Sequence, residues 1–106
     1  MSGNNGPSGG GMFTGGPESD DCSALRLSDS VASPDPSYTF VVGVFLDVVV
    51  NAGPPVTVSL LGGGMRVGSL HPLPALVRCL NQGVLFRAEV LSAIGGDIRV
   101  RVEPVP

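Results

Sequence analysis

The chain has 106 residues, 16 of them Gly and 10 Pro, with two Cys, one His, no Trp and a formal net charge of -3. That length holds one domain, and two Cys with one His are too few ligands for a structural zinc site, so neither metal nor cofactor is expected. Every basic residue is Arg; with Glu18, Asp20 and Asp21 set aside, six arginines face six acids, and a neutral body lacks the basic footprint that non-specific binding to nucleic acid or anionic membrane requires.

Residues 1–21 are dominated by Gly, Ser, Asn and Pro, and after Met1 their only large apolar side chains are Met12 and Phe13. Such a segment cannot offset the entropy of ordering its backbone, which predicts a disordered, acidic, Gly/Ser-rich tail and a domain over 22–106. Cys22 to Leu27 is apolar enough for a short first strand. Ser28 to Ser37 carries Pro34 and Pro36, which remove two backbone donors and bias Ser33 and Asp35 toward extended conformations, so a loop is expected. Tyr38 to Val42 admits either a helical turn or the start of a strand.

Gly43 to Val50 is a nearly continuous β-branched run, as in a strand covered on both faces or at a barrel seam. Asp47 interrupts it, and with no acid or His nearby in sequence it is read as a solvent-facing or locally bonded residue rather than a catalytic one. The run from Phe40 to Leu46 is too short to span a bilayer, and no membrane association is expected. Asn51 to Pro55 is a turn by composition. Val56, Val58 and Leu60 alternate with polar residues, Gly62 to Gly64 turn the chain back, and Met65, Val67 and Leu70 pair with that strand. The three glycines are not a phosphate loop, because Met65-Arg66-Val67 follows them where Lys and Ser or Thr at a helix start would be needed.

Pro72 and Pro74 occupy positions that the first turn of a helix tolerates. Leu73, Leu76, Val77 and Leu80 follow at helical spacing, and Gly83 stands where a left-handed C-cap is wanted. A helix of about three turns is too short to stand alone, so its stripe must lie on the sheet. Phe86, Ala88 and Val90 then alternate with Arg87 and Glu89. After Gly95-Gly96, Ile98, Val100 and Val102 alternate with Arg99, Arg101 and Glu103, which completes a hairpin with an apolar inner face.

No catalytic constellation is assembled by these residues. His71 has no Ser, Cys or acid at a nucleophile's spacing, which favours a cap or loop role, and the chain is not expected to be an enzyme. The binding candidates are Arg87, Arg99 and Arg101, three guanidinium groups on one face that suit phosphates or carboxylates, and Leu85 and Leu91, apolar residues on the same nominal outer face that suit a protein contact. No aromatic residue interleaves with the arginines to stack bases. Two Cys suffice for one bridge, but no secretory n-region or h-region opens the chain, so Cys22 and Cys79 are expected as reduced, buried thiols in a cytoplasmic protein.

Val67-Gly68-Ser69-Leu70-His71, a helix with Leu76 and Leu80, Gly83, Ala88-Glu89-Val90, Gly95-Gly96 and Val100-Arg101-Val102 together resemble the second half of a HIRAN domain, over less than half of the chain. The resemblance implies a small β-barrel with an inserted helix, and binding to nucleic acid, often single-stranded DNA ends. The expected architecture is a mainly β, SH3-like or HIRAN-like barrel with one short α-helix packed on it. The leading expectation for function is a non-enzymatic protein-interaction module, an accessory partner of a larger protein or complex; the alternative is a HIRAN-like single-stranded DNA binder.

Overall fold

In the computed structural model, which describes residues 19–106, six strands form one antiparallel sheet. They are β1 (Leu27–Ser30), β2 (Phe45–Asn51), β3 (Thr57–Gly62), β4 (Met65–Leu70), β5 (Phe86–Ile94) and β6 (Asp97–Pro104), with helix α1 (Pro74–Asn81) between β4 and β5. The strand order is β1-β6-β5-β2-β3-β4. The sheet curls until its two edges meet: Val31 donates its N–H to Ile98 on β6, and the next residue, Ala32, exchanges two backbone hydrogen bonds with Ser69 on β4. A mainly β, barrel-like fold carrying one short helix is thus what the chain forms.

Gly68 makes that meeting possible. A Cβ placed on it would lie 2.3 Å from Val31 Cγ1, so the missing side chain is the space in which Val31 closes the seam. Val31 is buried there, and the interior is otherwise filled by the inward residues of alternating strands, with Val58, Leu60, Val90, Val100 and Val102 almost wholly sealed from solvent. The expected alternation of β5 and β6 is observed residue by residue.

Three strand expectations change. β2 begins at Phe45 and is covered on one face only: Leu46 and Val48 point inward, while Phe45, Asp47 and Val49 point out. On the outer face the Arg87 guanidinium lies 4.0 Å from the Phe45 ring centroid, while Phe45 itself stays exposed. Val56 precedes β3, and Met65 opens β4 opposite Gly62 directly after the two-residue turn Gly63-Gly64; both are exposed. Both glycines have positive φ, 62° and 84°, as a tight hairpin turn requires.

The first element is not a strand. Ser19–Ala24 forms a 3-10 helix kinked at Asp21, and the pairing of β1 with β6 starts only at Leu27. Part of the expected loop, residues 28–30, belongs to that strand together with Leu27, the last residue of the expected first strand, because the partner register offered by Arg99 to Val102 outweighs the weak local propensity of Ser and Asp. Ser33, expected to be extended before Pro34, has φ 49°. Of the predicted tail, residues 1–18 lie outside the described residues, and positions 19–21 belong to the 3-10 helix.

α1 buries Leu76 and Cys79, with Val77 and Leu80 half-buried and Leu73 exposed as its N-cap residue, so the buried face is rotated from the one the apolar spacing predicts. Its end follows expectation. Gly83 has φ 90°, the Gly83 N–H donates to the Leu80 carbonyl, and the Val84 N–H donates to the Cys79 carbonyl, which is a Schellman cap.

The rotation of α1 has a covalent counterpart. Cys22, in the 3-10 helix, and Cys79 form a disulfide across 57 positions. The expectation of two reduced thiols is overturned, although both residues are buried as expected. Chain order alone holds the cysteines apart, whereas the sheet places the segment preceding β1 beside the helix preceding β5, since β1 and β5 flank the same strand, β6. A disulfide is a feature of oxidising compartments more than of the cytoplasm.

Candidate interaction surface

The three candidate arginines do share a face, the outer surface of β5 and β6, but each is already engaged. Arg87 forms an ion pair with Glu103 at 3.0 Å while stacking on Phe45. Arg101 bridges Glu89 and Glu103, and Arg99 donates to the Ser30 hydroxyl at 2.8 Å. Asp47 stands in register with Arg87 on the same face, so Arg87, Arg99 and Arg101 are matched in number by Asp47, Glu89 and Glu103. Along this ladder across three neighbouring strands, Arg87 and Arg101 are thus held by the carboxylates of Glu89 and Glu103, whereas Arg99 meets only a neutral hydroxyl. An anion docking on the first two would have to displace carboxylates that the fold already holds in place.

Leu85 and Leu91 are separated by this arrangement. Both are exposed, at 71% and 38%, yet they stand six positions apart along β5, about 20 Å at the rise of a strand, with Arg87 and Glu89 between them. Leu85 lies beside the C-terminal residues, accepting the Val105 N–H. Leu91 is the extra residue of a bulge between Val90 and Ser92, at the opposite end of the barrel.

That opposite end is the most apolar exposed region. The β5–β6 hairpin runs past the rest of the sheet to a turn at Gly95-Gly96, and Ile94 at its tip is 77% exposed. Alongside runs the segment after the two prolines: Gly43 donates to the Val90 carbonyl and Val90 donates to the Val44 carbonyl, which sets the exposed Val41, Val42 and Val44 next to the base of the hairpin arm. Between arm and segment lies a concavity of about 300 Å³, walled by Pro34, Pro36, Tyr38 and Phe40 on one side and by Ala93 and Ile98 on the other. Tyr38 and Phe40 meet edge to face with ring centroids 4.8 Å apart. Tyr38 also lies against Gly62, where a Cβ would come within 2.9 Å of its hydroxyl.

Among the described residues, Asp35 is the only charged one lining this concavity. Its Oδ1 accepts hydrogen bonds from the Ser37 N–H and hydroxyl at 2.9 and 2.8 Å, and these hold its carboxyl below the ordinary carboxylate range. The Asp35 N–H donates to the Val67 carbonyl, so the proline segment is tied to β4. Of the residues that build this surface, only Leu91 belongs to the sequence-derived candidates. Tyr38, Phe40, Val41 and Val42 did carry a signal: a dense apolar run without strand or helix periodicity, directly after a proline pair, is a run with no evident face to bury.

His71 and Asp47 are not brought together. His71 Nδ1 lies 3.1 Å from Asp29 Oδ2, and its backbone N–H donates to the same oxygen, so the pair pins the start of the α1 connection to β1. Burial pushes the Asp29 carboxyl up, but hydrogen bonds from the His71 ring, the His71 N–H and the Ser30 N–H together outweigh it and leave the pKa lowered. Among the described residues no group of three or more His, Cys, Asp or Glu could hold a metal ion, and no helix is long and apolar enough to cross a membrane. Comparison of the chain with protein-family models, with curated proteins and with solved structures finds no match.

Proposed function

We infer that the chain is a non-enzymatic protein-interaction module, and that its partner docks on the apolar hairpin end of the barrel. The observation that carries this reading is the clustering of exposed Val41, Val42, Leu91 and Ile94 around a concavity with an aromatic and proline lining and a single charged residue. Exposed apolar residues gathered in one place mark contact sites, whereas the same residues scattered singly would carry no meaning. A nucleic-acid reading, which the HIRAN resemblance implies, asks for free guanidinium groups and stacking platforms, and two of the three arginines, Arg87 and Arg101, are paired with carboxylates, leaving Arg99 with only the Ser30 hydroxyl.

A photo-reactive side chain placed at Ile94, and in parallel at Arg101 on the outer ladder, tests the reading. Adducts with one protein of defined mass at position 94 and not at 101, rebuilt from purified components and lost on Val42→Asp, are the expected result. No adduct at position 94, with the chain a strict monomer in size-exclusion chromatography, would remove it. Titration of single-stranded DNA at low salt separates the two classes: salt-dependent binding that weakens in Arg99→Ala and Arg101→Ala would move the function to the outer face.

A further inference from the structure

The two structured pieces outside the sheet, the 3-10 helix Ser19–Ala24 and α1, are joined to each other by a covalent bond, and each otherwise meets the barrel through one or two buried side chains, with Leu25, Val77 and Leu80 partly buried against the core. α1 has eight residues, no side-chain cap at its N-terminus and no acid in its first turn, so it has little helical stability of its own. Only Leu76 and Cys79 along it are buried. The segment before β1 is similar: Arg26 bonds only to the carbonyls of Ser23 and Leu25 within that segment, and Cys22 is its buried residue. The sheet's hydrogen-bond ladders use neither piece, and of its largest fully buried side chains only Leu76, on α1, comes from outside the strands, which supply Leu46, Val58, Leu60, Val67, Val90, Val100 and Val102.

We propose that the Cys22–Cys79 disulfide is a redox latch: oxidised, it clamps the 3-10 helix and α1 over their end of the barrel; reduced, it releases both and leaves the sheet standing. The reductant is a dithiol. One of its thiolates attacks a protein sulfur, the S–S bond breaks, the other cysteine leaves as a thiolate, and a mixed disulfide forms. The second thiol of the reductant, as a thiolate, then displaces the remaining cysteine. The dithiol ends as a disulfide, having given up two electrons, and the two cysteines take up two protons. Both cysteines are buried, 7% and 3% exposed, so attack follows a local opening of the cap, and the reduction rate levels off as dithiol concentration rises.

Hydrogen exchange on the full chain, followed by mass spectrometry of peptides before and after equilibration with dithiothreitol, tests the latch. Once reduced, amides of residues 21–26 and 76–84 are expected to exchange at least about a hundredfold faster than those of β3, β5 and β6, which stay protected by the remaining stability of the sheet. Iodoacetamide counts the thiols alongside: none in the oxidised chain, two after reduction. Cys22→Ser with Cys79→Ser is expected to show the reduced pattern without reductant; if that variant does not fold, the wild-type chain reduced in place decides alone. Two reactive thiols before any reductant, equal protection of α1 in both forms, or protection lost throughout the sheet would each overturn the latch.

Discussion

The two ends of the barrel are finished in opposite ways. At one end a 3-10 helix and α1 lie over the interior and are bonded to each other through Cys22 and Cys79; at the other, the β5–β6 hairpin and the Tyr38–Val42 segment flank an apolar concavity that no helix among the described residues covers. A small barrel has few side chains with which to seal both ends. The end with the crosslink is the better sealed, and the end with exposed Val, Leu and Ile is the one on which the proposed partner docks.

The largest test of this contrast is removal of the crosslink. Cys22→Ala with Cys79→Ala is expected to lower unfolding stability in urea by about 4 kcal/mol, from the chain entropy restored to the unfolded state. Leu76→Ala, which empties a buried site beneath α1, should cost about 3 kcal/mol in the same measurement. Gly68→Ala forces Val31 out of the seam and is expected to cost about 2 kcal/mol, with exchange at Ala32 and Ser69 rising together. Ile94→Asp at the open end should move stability by less than about 0.5 kcal/mol while abolishing partner capture. If Ile94→Asp destabilised as much as the double cysteine change, the two ends would not differ as described.

The smallest effect concerns pH. The folded pKa of Asp29 lies below its ordinary 3.8, so the stability it contributes is complete above that value and is lost as pH falls through the lowered one. Thermal melts from pH 5 down to about 2 should therefore decline less steeply in Asp29→Asn than in the natural chain. Glu103→Gln, which loosens the half-exposed ladder, is expected to cost only a few tenths of a kcal/mol, because ion pairs near solvent are weakly stabilising.

Period-two alternation made the β5–β6 hairpin legible down to single residues, and the Pro and Gly punctuation marked both ends of α1. In those stretches each residue's neighbours along the chain define its environment. Leu85 and Leu91 show where that stops: they share a parity and an exposure, but a strand's length sets them at opposite ends of the molecule. The arginines show the same limit, since their chemistry was readable and their occupancy by Glu89, Glu103 and Ser30 was not.

What the sequence determined by itself is the set of local periods from Phe45 onward: where the alternating strands run, where the helix stops, and which side of the final hairpin is apolar. The tertiary structure alone decided that Cys22 reaches Cys79, that Val31 closes over Gly68, and that Phe40 and Ala93 face each other across one concavity. The physical reason is that each of these contacts joins segments far apart along the chain, through the closure of a curled sheet. Hydropathy and spacing record only which face a residue prefers, not which distant residue will be waiting there.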